Sequence, residues 1–195
     1  AGYELACGVT TYGAVECWGY GGRGGRGANP PYTAVTAGNR YACGLAADGE
    51  IDCWSAGGYD AYGESSPPTS EDLAPPEPEA PETVYVQLSA SQNHTCGVIA
   101  DSGQVHCWGV EWHDRLAIPD LSFTAVSTGQ DHTCGLVVDG TIECWGADSW
   151  GQTDPPGVLF QSIDSGKYHS CGVTLDDQIR CWGRNEVGES SPPSP

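Results

Sequence analysis

The chain has 195 residues, enough for one domain of ordinary size, and its 26 Asp and Glu against 7 Lys and Arg give a net charge of -19. That charge excludes binding to bare nucleic acid, which needs a basic surface, and an electrostatic hold on an anionic membrane; it suits a cationic partner or a saline setting. Ten Cys without a CxxC pair point to disulfides in an oxidising, extracellular compartment, no apolar run reaches the 18 residues of a membrane span, and 28 Gly with 14 Pro favour short strands and tight turns over helices.

The chain opens at Ala1 without a leader-like apolar stretch and reads as a mature or excised polypeptide. Residues 1–19 carry the first copy of a motif, ACGVTTYGAVECWG from Ala6. Tyr20 to Asn29 (YGGRGGRGAN) follows as a Gly-Arg loop; two arginines in so acidic a chain do not make an RNA-binding segment. Residues 32–55 begin with an alternating stretch, YTAVTAG from Tyr32, that reads as a strand, and continue into the second copy, ACGLAADGEIDCWS from Ala42. Residues 65–83 (SSPPTSEDLAPPEPEAPET) are an exposed, acidic, polyproline-like insertion.

Residues 84–109 repeat the pattern with VYVQLSA from Val84 and TCGVIADSGQVHCWG from Thr95; residues 123–146 with FTAVSTG from Phe123 and TCGLVVDGTIECWG from Thr133; residues 160–183 with FQSIDSG from Phe160 and SCGVTLDDQIRCWG from Ser170. The first cysteines of the five copies are 36, 53, 38 and 37 residues apart, a period of about 37 with an insertion in the second repeat. Internal repetition of this length makes residues 1–195 a single repeat domain.

Each motif predicts a cross-linked β-hairpin. In the fourth copy a three-residue turn, Val138-Asp139-Gly140, supplies Gly where φ is positive. Pairing about Asp139 sets Leu136 opposite Ile142 and Cys134 opposite Cys144, and directly opposed residues of a non-hydrogen-bonded antiparallel pair lie within disulfide reach. The same register gives Cys7–Cys17, Cys43–Cys53 and Cys171–Cys181, with Gly13, Gly49 and Asp177 ending the turns, and Cys96–Cys107 in a copy with one extra loop residue. Val9 then faces Val15, Leu45 Ile51, Val98 Val105 and Val173 Ile179. On the opposite face Trp18 meets Ala6, Trp54 Ala42, Trp108 Thr95, Trp145 Thr133 and Trp182 Ser170. Each disulfide closes a loop of about 11 residues, worth roughly 3 kcal/mol in the chain-entropy model. Zinc sites favour close cysteine pairs, so a metal is not expected at these cysteines.

Thr128 to Pro156 (TGQDHTCGLVVDGTIECWGADSWGQTDPP) resembles the regulator of chromosome condensation repeat, in the short, secreted form of β-lactamase inhibitory protein II-like propellers. The resemblance implies an all-β fold, a β-propeller or an open propeller segment with one four-stranded blade per repeat. Five copies are present where the family usually has seven. The first hairpin lacks a preceding FxxV-type strand, so five hairpins have four partner strands. An open ring, a piece of a longer chain, completion by a neighbouring molecule and a closed five-bladed ring all satisfy that count.

No nucleophile with an acid/base partner stands out, and neither catalytic residues nor a cofactor are expected. His94, His132 and His169, each two residues before a first cysteine, are read as blade-packing residues; Asp48 and Asp139 as turn formers. Asp176-Asp177 is too short a run of oxygen ligands for calcium. Asn93-His94-Thr95 is an N-glycosylation sequon. Trp112, Trp150, Tyr59 and Tyr62 lie outside the hairpin motif and are candidates for an aromatic binding surface. Two functions fit. One is a non-enzymatic extracellular structural protein, a glycosylated subunit of a fibre, sheath or wall that self-associates by strand completion. The other is a secreted propeller module that binds a protein or glycan through its loops.

Overall fold

The computed structural model describes residues 5–19, 31–55, 83–111 and 116–193. Tyr59, Tyr62, Trp112, the Gly-Arg loop and all of the insertion except Thr83 lie outside the described residues. The described chain is all β. A two-stranded sheet pairs β1 (Leu5–Val9) with β2 (Val15–Gly19). Four three-stranded sheets follow: β3 (Tyr32–Ala37), β4 (Tyr41–Ala46) and β5 (Ile51–Ser55); β6 (Tyr85–Ala90), β7 (His94–Ile99) and β8 (Val105–Gly109); β9 (Phe123–Thr128), β10 (His132–Val137) and β11 (Ile142–Gly146); β12 (Phe160–Ser165), β13 (His169–Thr174) and β14 (Ile179–Gly183). In each the middle strand of the sequence is also the middle strand in space.

The expected hairpin register is present. Cys7 pairs Cys17, Cys43 pairs Cys53, Cys134 pairs Cys144 and Cys171 pairs Cys181, each flanked by its aliphatic and Trp–small pairs. All five disulfides are formed, Cys96–Cys107 among them, with Cα separations of 4.0 to 4.1 Å. Gly140 closes its turn at φ 89° and Asp177 does the same at φ 61°.

Two features depart from the sequence reading. The blades have three strands among the described residues, and the first has two, where the resemblance implies four. After β11 the Ala147 N–H still bonds the Asp131 carbonyl, and from Asp148 to Val158 the backbone hydrogen bonds are short-range turns, from Gly151 to Asp148, Asp154 to Gly151 and Val158 to Pro156. Pro155 and Pro156 have no N–H to give a ladder. The second feature is a β-bulge near the start of each outer strand, between Tyr32 and Ala34 and between Tyr85 and Gln87, with matching shifts at Leu136/Val137 and Phe160/Ser162.

In the four three-stranded sheets the bulge carries an aromatic ring back over the glycine that follows the first cysteine. A Cβ on Gly44 would stand 2.6 Å from Tyr32 Cδ1, and one on Gly97 2.7 Å from Tyr85 Cδ1; Gly135 and Gly172 are covered in the same way by Phe123 and Phe160. Those rings in turn tilt against the motif tryptophan, 5.7 Å between Phe123 and Trp145 and 5.8 Å between Phe160 and Trp182. The Cys-Gly step is therefore set by the space an aromatic ring takes.

The chain divides into two compact units, one of residues 1–102 and 106–110, the other of residues 103–105 and 111–195. Within each, sheets stack by one rule. Cys and Trp are adjacent in the motif, so they point to opposite faces of the strand. In the first unit Trp54 packs against Leu5, Ala37 and Ala42 beside the Cys7–Cys17 bridge, and Trp108 against Tyr41 and Cys43. In the second, Trp182 joins Cys134, Leu136, Ile142 and Phe160. The tryptophan of one blade thus lies on the disulfide face of the blade before it. Burying such a ring is worth about 4 kcal/mol by surface area, taken against an extended chain. Trp18, with no earlier described blade to lie on, is 59% exposed, whereas Trp182 is 7% exposed.

Candidate binding surface

The loop that leaves β11 presents an exposed tryptophan, Trp150. After β11 the chain turns at Asp148, whose carboxylate accepts the Thr153 N–H at 3.0 Å, and passes through Gly151 at φ 70°. Gln152 anchors the loop. It is buried, its side-chain oxygen accepts the Trp150 N–H at 2.8 Å, and its carbonyl accepts the indole N–H of Trp182 at 3.0 Å. With Gln152 held inward, Trp150 is presented outward and is 47% exposed.

Arg184, the first residue after β14, completes the surface. Its guanidinium lies 5.6 Å from the ring centre of Trp150 and 5.6 Å from that of Tyr168. Lys167 adds a second cation, 5.0 Å from the Tyr168 ring. Arg184 is held by its backbone N–H to the Tyr168 carbonyl, 2.9 Å, and by an ion pair with Glu186, with Glu189 at 3.6 Å. Hydrogen bonds from the backbone N–H groups of Glu189 and Val187, then the Arg184 charge, hold the half-buried Glu189 carboxyl below the usual carboxylate range. Val187 is 86% exposed in this loop. Cation and rings gain from each other, and Trp, Tyr and Arg are the residue types that dominate protein interfaces.

Of the four aromatic residues singled out from sequence, Trp150 is in this cluster and the other three lie outside the described residues. Arg184, Tyr168 and Lys167 carry no sequence signal beyond the scarcity of basic residues in the chain. Asn93 is half-buried between β6 and β7, and the Thr95 of its sequon is buried with its hydroxyl 2.9 Å from Tyr41 Oη. Asp48 and Asp139 act as turn formers, accepting the N–H of Glu50 at 3.1 Å and of Thr141 at 2.9 Å. Hydrogen bonds from the Thr141 hydroxyl and then its N–H lower the pKa of exposed Asp139, favouring its charged form. Among the described residues, no three His, Cys, Asp or Glu side chains gather as a metal site.

Repeated antiparallel sheets, each closed by its disulfide, and the likeness to solved propellers make this a β-propeller protein. Its last repeat, residues 160–189, matches the regulator of chromosome condensation (RCC1) repeat, and the other hairpins share that repeat's register, disulfide and tryptophan. No curated protein sequence matches the chain. Among solved structures, the entire ectodomain of the Physcomitrella patens receptor kinase CR4 is 28% identical with a TM-score of 0.73, covering 94% of this chain and 49% of its own. The CRINKLY WD40 ectodomain of the Arabidopsis thaliana receptor kinase ACR4 is 24% identical, TM-score 0.72, covering 100% and 64%. Prp20p of Saccharomyces cerevisiae, described with its binding to Gsp1p and histones, is 18% identical, TM-score 0.76, covering 100% and 58%. This chain spans about half to two-thirds of the length of these structures.

Proposed function

We propose that this chain is an extracellular β-propeller module that binds a protein partner through the Trp150–Arg184–Tyr168 cluster. The carrying observation is an exposed Trp braced by a buried Gln152 and by a guanidinium between two rings. Rigid aromatic presentation of this kind lowers the ordering cost of binding. Glu186, Asp148 and Asp154 border the cluster, so the free face of Trp150 suits a basic side chain of the partner. The five disulfides and the likeness to plant receptor ectodomains support an extracellular setting, and the partners of Prp20p support protein recognition.

The test is cross-linking of the chain to secreted proteins of its source, with Trp150→Ala and Val187→Ser alongside. The expected result is a partner whose affinity falls about tenfold or more in Trp150→Ala while the thermal midpoint holds. A partner captured equally by both variants sinks the reading, and capture of free glycans alone replaces the protein with a sugar.

A second reading, a glycosylated subunit of a fibre, sheath or wall, has one observation in its favour: β1 has a partner strand on one edge only among the described residues. An open edge invites strand addition from a neighbour. Negative-stain microscopy that finds only dispersed particles at high concentration removes it, and a mass shift on glycosidase treatment tests a glycan at Asn93.

A further inference from the structure

The opposite end of the second unit carries a second surface. Its hairpin turns hold Val138 and Leu175, 65% and 63% exposed, and the segments that enter β9 and β12 hold Leu121, Val158 and Leu159, also exposed. Backbone hydrogen bonds bring these five positions together as one ridge. The Val138 N–H bonds the Ser122 carbonyl, next to Leu121, at 3.1 Å; the Phe160 N–H bonds the Gly140 carbonyl at 2.7 Å; the Leu175 N–H bonds the Leu159 carbonyl at 3.2 Å. A Cβ on Gly140 would stand 3.7 Å from Leu159 Cβ.

Folding does not require apolar residues there. The second and third repeats place Ala47 and Ala100 where the fourth and fifth place Val138 and Leu175, and turns favour polar residues. Large neighbouring apolar side chains left in water mark interaction sites. Exposed carboxylates of Asp120, Asp139, Asp176 and Asp177 rim the ridge, and among the described residues neither these turns nor the segments entering β9 and β12 hold a Lys or Arg. A second copy of so acidic a chain is repelled. We infer that this end is a docking surface for a basic amphipathic segment of a partner protein, its apolar face on the ridge and its cations on the rim. The surface is separated by the length of β11 from the Trp150 cluster and stands without it.

A fluorescein-labelled 18-residue amphipathic helix of Leu and Lys serves as the probe, read by anisotropy against the whole chain. Wild type is expected to bind it, more weakly as salt rises. The double variant Val138→Ser/Leu175→Ser, at exposed positions, is expected to bind at least about tenfold more weakly with an unchanged thermal midpoint, and Asp120→Asn/Asp176→Asn to flatten the salt dependence. Trp150→Ala, which disables the loop cluster, is expected to bind the probe like wild type. No binding by wild type overturns the inference. So does equal binding by Val138→Ser/Leu175→Ser, which reduces the attraction to net charge, or loss of binding in Trp150→Ala.

Discussion

His132 Nε2 lies 2.9 Å from Ser170 Oγ in the next blade, with both residues fully buried. Tyr41 stands at the same place in its repeat and reaches the same place in its neighbour, its Oη 2.9 Å from Thr95 Oγ1. The ring two residues before a first cysteine is thus an inter-blade clasp, and the recurring Ser or Thr is its receiver. Ser165 Oγ also meets Ser170 Oγ at 2.9 Å, so the receiver is shared. His132→Ala removes the bond and opens a cavity, at an expected cost of about 3 kcal/mol; Ser170→Ala strands a buried nitrogen, at about 2 kcal/mol. Denaturant unfolding measures both, and a change below about 0.5 kcal/mol in His132→Ala rejects the clasp.

The same histidine makes stability depend on pH. Burial lowers the pKa of His132 from 6.5 to about 4, against the pull of Asp131 and Asp148 and with a smaller push from His169. Its Nδ1 has no hydrogen-bond partner among the described residues. Below the ordinary histidine value the unfolded chain takes up a proton that the folded chain refuses. Stability is therefore complete above pH 6.5, falls as pH drops toward 4 and flattens below that, for a total of about 3 kcal/mol. His106, lowered by its own burial, adds to the loss in the same direction. His132→Tyr, which copies Tyr41, is expected to remove most of the slope; parallel curves for the variant and wild type would count against a neutral, buried imidazole.

Two glycines at equivalent positions separate the role of the outer strand from that of the hairpin. A methyl group on Gly135 would run into the ring of Phe123, while one on Gly8, whose hairpin has no outer strand among the described residues, would meet Trp18 at 3.6 Å, an ordinary contact. Gly135→Ala is expected to cost about 3 kcal/mol, and Gly8→Ala less than about 0.5 kcal/mol. Thermal unfolding of the pair checks the difference, and equal losses would show that the glycine serves the hairpin itself.

What the sequence makes legible follows from short-range geometry. Cys134, Leu136, Trp145 and their partners obey a period of two around a turn, so pairing, faces and disulfides follow from spacing alone. The bulge at Phe160 is not legible this way, because it depends on how a ring fits over Gly172 and under Trp182. The binding surface is half legible. Trp150 stands out by lying outside the motif, but Arg184 and Tyr168 join it only after residues 16 and 34 positions from Arg184 fold onto one end of two blades.

Removing one disulfide tests how blades hold together. Cys134 and Cys144 close a short loop, and their bridge also belongs to the floor on which Trp182 packs. Cys134→Ser/Cys144→Ser therefore loses the loop-closure term, roughly 3 kcal/mol, together with part of the contact that joins this blade to the next. Replacing Cys7 and Cys17 removes the same closure term beneath Trp54 in the other unit, so the two double variants are expected to match within about 1 kcal/mol. Thiol titration supplies the baseline: denatured, unreduced protein gives no free thiol, since all ten cysteines are paired. If either variant loses only the closure term while Trp182 or Trp54 keeps its fluorescence, the tryptophan rests on its aliphatic neighbours, and the disulfide acts within its own hairpin alone.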